Sequence, residues 1–119
     1  MPYVLRLDER GQCILVYPKG HLSTSEIDDG LKEILALRLE KGVERILCDQ
    51  RGLESAPSLP DIYKAAATFA EGPLRGMRLA IVRATMPQRT HFFETVAVNR
   101  SAAVRVFDDE NRARGWLRE

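Results

Sequence analysis

The sequence predicts an α/β domain with one mixed sheet of about five strands, built from an N-terminal hairpin and parallel βαβ units, and four helices. Two observations lead to this prediction. Two apolar runs of strand length open the chain, separated by a short polar break that contains Gly11. Beyond them, stretches with apolar residues at helical spacing alternate with short apolar runs to the end of the chain. The first strand is therefore expected to be an antiparallel edge.

The N-terminal half has clear element boundaries. The runs at 3–8 (YVLRLD) and 12–17 (QCILVY) are the two strands of the hairpin. A helix is predicted to begin at Ser23, because Ser23 and Glu26 form a capping box. It is predicted to end at Lys41 and Gly42, which supply a favourable last-turn charge and a left-handed cap.

The C-terminal half repeats a strand and helix alternation. The predicted strands are VERILCD, MRLAIVR and AVRVF. The predicted helices are LPDIYKAAATFAEG, MPQRTHFFETVAVNR and DDENRARGWLRE. Phe92, Val96 and Asn99 are expected on one face of the second of these helices.

Two arrangements of the sheet are compatible with this order. If strands two to five lie in chain order, right-handed crossovers place all connecting helices on one face. Apolar strand residues are then expected to line the other face: Ile14, Val16, Leu47, Ala80 and Val82. The terminal helix with Trp116 and Leu117, a second copy of the chain, or a ligand or partner would cover them. If the strand order reverses instead, helices cover both faces.

Length and composition favour a single domain over residues 1–119 without special stabilisation. Eighteen basic and 17 acidic side chains give a net charge of +1, so no overall field attracts nucleic acid or an anionic membrane. Cys13 and Cys48 lie inside apolar runs, which is typical of buried thiols in a reducing compartment. The N-terminus lacks an apolar stretch of signal-peptide length, and no window resembles a membrane span. We therefore expect a cytoplasmic protein.

Two segments carry a family resemblance, namely the RILCD strand with its following loop and helix, and the ending VRVFDDENRARGWLRE. With the element order, they make the chain resemble the SpoIIAA-like branch of the STAS (sulfate transporter and anti-sigma-factor antagonist) superfamily over nearly its whole length. The resemblance implies a non-enzymatic regulatory module that binds either a protein partner or a second copy of itself in a homodimer. Because this branch is grouped with SEC14-type domains, the alternative is a protein that binds a small ligand, either a lipid or an anionic metabolite.

The chain departs from the family at the phosphorylated serine. Regulatory STAS members carry a D-S-S-G stretch, whose serine at a helix N-terminus controls binding to an anti-sigma kinase. Aligning Asp49 with the family's strand-end aspartate places PSLP there, so that Leu59 stands at the phosphoacceptor position. Ser58 matches only the preceding serine, and the pattern SLPD recurs as TMPQ at 85–88, which favours helix capping. The cap is expected at Ser58 or, because of the proline, at Leu59; Ser58 and the loop residue Ser55 stay open as phosphosites.

No catalytic, cofactor or metal motif is present. His21 and His91 stand apart in the sequence, and YPKGHLS has too few glycines for a phosphate loop. An enzyme is therefore not expected, and no cofactor is predicted. Binding is expected outside the carboxyl ends of the parallel strands. Charged side chains follow these ends: Lys19, His21, Asp49, Arg51, Arg83, Arg89 and Asp108. They form either an anion site beside two helix N-termini or a solvated rim with local ion pairs.

Overall fold

The computed structural model describes residues 3–55, 57–83 and 88–119, with side chains from residue 91 onward in the last range. Its strands are β1 (Tyr3–Leu7), β2 (Ile14–Pro18), β3 (Arg45–Asp49), β4 (Arg78–Val82) and β5 (Ala103–Phe107). Its helices are α1 (Thr24–Lys41), α2 (Leu59–Glu71), α3 (Gln88–Asn99) and α4 (Glu110–Leu117). The predicted order of elements is confirmed.

The strands form one sheet in the order β1-β2-β3-β4-β5. β1 is antiparallel to β2 and the remaining pairs are parallel, which confirms the predicted mixed sheet. Helices α1, α2 and α3 contribute Ile34, Phe69 and Val96 to one apolar core on the same sheet face. Of the two predicted arrangements, the structure therefore has the chain-order sheet with its connecting helices on one side.

Helix α4 covers the opposite face over β3, β4 and β5. Ala113 and Leu117 pack into a second apolar cluster on the sheet. The ring centroids of Trp116 and Phe107 lie 5.9 Å apart, and the Arg78 guanidinium stands 4.3 Å from the Trp116 ring centroid. Of the three coverings that the sequence left open, the structure shows the terminal helix on this face.

Leu47, Ala80 and Val82 lie under α4 as expected, but the assignment of Ile14 and Val16 to that face was wrong. In the parallel register Ile14 lies beside Ile46, and Leu15 lies beside Leu47. Because side chains alternate along a strand, Ile14 and Val16 face the connecting helices.

The predicted face of α3 also needs a correction. Phe92 and Val96 pack against the core, whereas Asn99 is exposed. The buried stripe continues from Val96 to Ala97 instead. Asn99 is the last residue of the helix, and two residues later Ser101 has a positive φ of 67°, so the chain leaves the helical path there.

Local capping explains where α1 begins and ends. The N–H of Glu26 donates to the Ser23 side chain at 3.2 Å, and the N–H of Ser23 donates to the Glu26 carboxylate at 2.8 Å. Gly42 ends the helix with a φ of +69°, in the left-handed region that favours glycine. Both predicted boundaries of α1 are confirmed.

Candidate functional site

The carboxyl ends of β2 and β3 and the N-termini of α1 and α2 meet at one end of the sheet. We call this surface the rim; it is formed by the residues between Pro18 and Thr24 and between Asp49 and Leu59 that the structure describes. Backbone hydrogen bonds join the loop after β2 to the loop after β3. The N–H of Gly20 donates to the carbonyl of Gly52 at 3.0 Å, and the N–H of Glu54 donates to the carbonyl of Gly20 at 2.8 Å. These bonds hold the two loops together, so that their side chains form one surface.

Ser58 is the N-cap of α2. Its hydroxyl oxygen accepts a hydrogen bond from the Asp61 N–H at 3.3 Å, so the cap lies at Ser58 and not at Leu59. The Asp61 carboxylate in turn accepts a hydrogen bond from the Thr24 hydroxyl at 2.8 Å, which ties together the first turns of α1 and α2. In the similar pattern at 85–88, Thr85 and Met86 lie outside the described residues.

Asp49 and Arg51 form a bidentate ion pair at the end of β3. Arg51 Nε donates to Asp49 Oδ1 at 2.9 Å and Arg51 Nη2 donates to Oδ2 at 2.6 Å. The hydrogen bond from Arg51 is the main cause that lowers the pKa of Asp49. Arg51 also lies 3.3 Å from the Glu110 carboxylate at the start of α4. The charge of Arg51 is thus compensated by two carboxylates, which matches the predicted local ion pairs.

His21 bridges the two rim loops. Its Nδ1 is hydrogen bonded to the Ser55 hydroxyl, and its Nε2 lies 3.3 Å from the Glu54 carboxylate. All three side chains are exposed. The structure thus brings together His21 and Ser55, which are 34 positions apart in the sequence and share no local motif.

The other charged side chains predicted at the strand ends differ in their surroundings. Lys19 is exposed, and Arg83 is half-buried at the end of β4. Neither forms an ion pair with another residue that the structure describes. Asp108 pairs with Arg112 at 3.4 Å, and the Arg89 side chain lies outside the described part of the chain. Arg83 is therefore the cation of this set that is both partly shielded from water and uncompensated among the described residues.

A partly open cavity of about 170 Å³ lies behind the rim, between α1, α2 and the sheet. Helix α2 packs along α3 but contacts α1 at few positions, and this divergence leaves the space. Its walls are mainly apolar: Val16, Ile27, Gly30, Leu31, Cys48, Leu53, Ile62, Ala65, Phe69 and Phe93. Glu26, Gln50 and Arg83 add polar side chains to the lining. The sequence predicts a pocket at the strand ends and an apolar ligand as one alternative, but it does not predict that the cavity lies between α1 and α2.

Burial raises the pKa of three titratable side chains in or directly beside the strands. It raises the pKa of the Cys48 thiol to about 12 and that of the Cys13 thiol to about 11. Burial and the hydrogen bond that Tyr3 donates to Glu33 at 2.9 Å raise the pKa of Tyr3 to about 12. Because the thiolate is the nucleophile, a protonated Cys48 makes the cavity wall apolar rather than reactive at neutral pH.

The described residues contain no group of three or more His, Cys, Asp or Glu side chains placed to hold a metal ion. Within the same residues, no helix is both long and apolar enough to cross a membrane.

Comparisons with known proteins identify a similar fold but no family. No protein-family model matches the chain, and a search of curated proteins finds no match. Among solved structures, the chain is similar to the NMR structure of the protein TM1081, with a TM-score of 0.63 and 17% sequence identity. The match covers 97% of this chain and 87% of that chain. At this identity the likeness supports the α/β architecture alone.

Proposed function

We propose that the chain is a non-enzymatic regulatory module of the STAS-like type, which binds a protein partner or a second copy of itself through the rim and the start of α2. The resemblance of the RILCD segment and of the chain's ending to SpoIIAA-like proteins supports this proposal. The observation that carries it is an exposed apolar pair beside the rim. Leu59 is 49% exposed and Tyr63 is 46% exposed.

These two side chains suit a protein contact. They are four residues apart on α2, so they lie on one face of the helix. The Tyr63 hydroxyl accepts a hydrogen bond from Arg100 at 2.6 Å, and the Arg100 guanidinium stands 5.1 Å from the Tyr63 ring centroid. An aromatic ring held in place, next to an apolar neighbour and a polar rim, loses little side-chain freedom on binding.

We further propose that this binding does not depend on a phosphoserine. Leu59 stands at the family's phosphoacceptor position, and Ser58 serves the helix as its N-cap. Ser55 is the other candidate, and its hydroxyl is hydrogen bonded to His21. Incubation with a kinase-active extract followed by mass spectrometry is expected to leave Ser55 and Ser58 unmodified. A phosphate on either serine that changes partner binding would contradict this part of the proposal.

The contact surface is tested by comparing Leu59→Ser with Leu39→Ser in pull-down and in sedimentation at several protein concentrations. Leu39 on α1 is 77% exposed, so its variant loses a similar apolar side chain elsewhere. Leu59→Ser is expected to weaken partner capture or self-association about fivefold or more, because truncating a side chain at the centre of a contact costs over about 1 kcal/mol. Leu39→Ser should behave as the unmodified chain. Equal effects of both variants, or a chain that neither captures a partner nor self-associates, would contradict the proposal.

The cavity favours a second candidate function, the binding of a small ligand. Its volume of about 170 Å³ is too small for a lipid with two long chains, since drug-sized ligands already occupy roughly 300 Å³ or more. A ligand-binding protein should copurify with its ligand, which native mass spectrometry of the purified chain would detect. A location in the cytoplasm and the absence of nucleic-acid binding stay predictions from the composition.

A further inference from the structure

We infer that the cavity between α1 and α2 binds the tail of an amphiphile with one short apolar chain, whose anionic headgroup lies at Arg83. This inference rests on the second candidate function, the binding of a small ligand. It specifies the chemical class of that ligand.

The size and lining of the cavity define the tail. A cavity of about 150 Å³ accommodates benzene, so a cavity of this volume takes a chain on the order of six to eight carbon atoms. Its inner wall consists of core residues such as Ile34, Ile46 and Phe69, which are almost completely buried. Such a wall offers no hydrogen-bond partner to a polar tail, whereas each methylene moved there from water contributes favourably.

The charges at the cavity define the head. Glu26 and Arg83 are its two ionised lining residues. The Glu26 carboxylate accepts the Ser23 N–H at 2.8 Å in the capping box of α1 and is thereby engaged. Arg83 is half-buried and forms no ion pair with a described residue. Its backbone N–H donates to the Phe107 carbonyl at 2.9 Å, which fixes the point where the side chain leaves the sheet. An anionic head at Arg83 would pair with this cation.

Gly30 allows the cavity to be filled without disturbing the fold. It lies in the middle of α1 and lines the cavity, and a Cβ added there would meet only Tyr3 Cζ, at 3.9 Å. Gly30→Leu therefore places a side chain in the free space and also favours the helix. Gly115 in α4 offers a matched control, because a Cβ added there meets nothing within 4 Å. Gly115→Leu makes the same chemical change on the other face of the sheet.

The experiment measures binding of octanoate, 1-octanol and octylammonium to the purified full chain by calorimetry and amide chemical shifts. Octanoate is expected to bind roughly tenfold more tightly than 1-octanol, as a charge-assisted hydrogen bond contributes on this scale. Octylammonium should bind most weakly. Arg83→Gln should bring octanoate to the affinity of 1-octanol, Gly30→Leu should abolish binding of both, and Gly115→Leu should leave both unchanged. Circular dichroism checks that each variant is folded.

The possible failures are distinguishable. Equal binding of octanoate and 1-octanol, with no effect of Arg83→Gln, would overturn the anionic head but leave the small-ligand function standing. If octylammonium binds most tightly of the three probes, the anionic head is likewise overturned and the small-ligand function stands. Binding that survives Gly30→Leu would overturn the assignment to this cavity. If none of the three probes binds, the inference fails. The small-ligand function is then judged separately by native mass spectrometry of the purified chain, and the protein-contact function by Leu59→Ser.

Discussion

Replacing Gly30 by alanine is expected to stabilise the protein, although the residue lies in the middle of α1 and faces the core side of the sheet. Glycine in a helix interior costs up to about 1 kcal/mol relative to alanine. The added methyl group meets Tyr3 Cζ at 3.9 Å, an ordinary van der Waals contact, so no overpacking cost arises. The methyl group enters apolar space and adds at most about 0.8 kcal/mol from burial. The free energy of unfolding should therefore rise by about 1 kcal/mol.

The assay is urea unfolding followed by far-ultraviolet circular dichroism and by Trp116 fluorescence. The midpoint concentration should increase at an unchanged slope, because the surface exposed on unfolding is nearly the same. In a thermal scan the midpoint should rise by about 3–6 °C for a chain of this size.

Gly72→Ala provides the opposite control. A Cβ at Gly72 would lie 2.6 Å from the Thr68 carbonyl oxygen, so the end of α2 would have to shift. This variant should lose about 1–3 kcal/mol, the usual cost of forced overpacking. A Gly30→Ala variant that loses stability as Gly72→Ala does would show that α1 packs tightly on the sheet and that the cavity does not exist.

Two further predictions concern the cap of α2 and the buried thiols. Ser58→Ala should lower the free energy of unfolding by about 1 kcal/mol because the Asp61 N–H loses its acceptor, whereas Ser58→Asp should keep the cap. Urea unfolding measures both variants. An unchanged free energy of unfolding in Ser58→Ala would refute the capping role. Above about pH 9 the unfolded chain loses the protons of Cys13 and Cys48 while the folded chain, with pKa values of about 11 and 12, keeps them. Stability should therefore fall as the pH rises from 9 to 11, by up to about 1.4 kcal/mol per pH unit for each thiol, and Tyr3 adds to the fall above about pH 10. Cys48→Ala should remove the share of the slope that Cys48 contributes. A slope that is the same in Cys48→Ala would contradict the burial of that thiol.

The parts of the fold that depend on local chemistry were predictable from the sequence. The capping box at Ser23, the left-handed cap at Gly42 and the N-cap at Ser58 are each decided by a few neighbouring residues, and the structure has all three. The element order also follows from local periodicity. The strand order was one of two alternatives, because right-handed crossovers restrict the topology without determining it.

The wrong predictions concern residues whose hydrophobic pattern does not show which face of the strand or helix is buried. β2 is apolar at both Ile14 and Leu15, so periodicity cannot tell which of them faces the connecting helices. The strand register decides this, and it depends on residues far along the chain. Asn99 fits a helical spacing from Phe92, but the helix ends there.

The position of the candidate site was predictable from the sequence, but its long-range ion pair and its cavity were not. The rule for α/β sheets places it at the strand carboxyl ends, and several of the predicted side chains do meet there. The partner of Arg51 at Glu110 comes from 59 residues away, which no local motif reveals. The cavity depends on the separation of α1 and α2. The available signal was the pair of small residues Gly30 and Ala65, both of which line it.

The proposal that the protein works by contact at the rim and α2 is tested most directly by photo-cross-linking in cells. The photoreactive amino acid p-benzoylphenylalanine is placed at position 59 in one variant and at position 39 in another, both exposed sites. Irradiation should give a discrete adduct of higher mass from position 59, either with another protein or with a second copy, and none from position 39. Adducts from position 39 alone, or from neither position, would contradict the account.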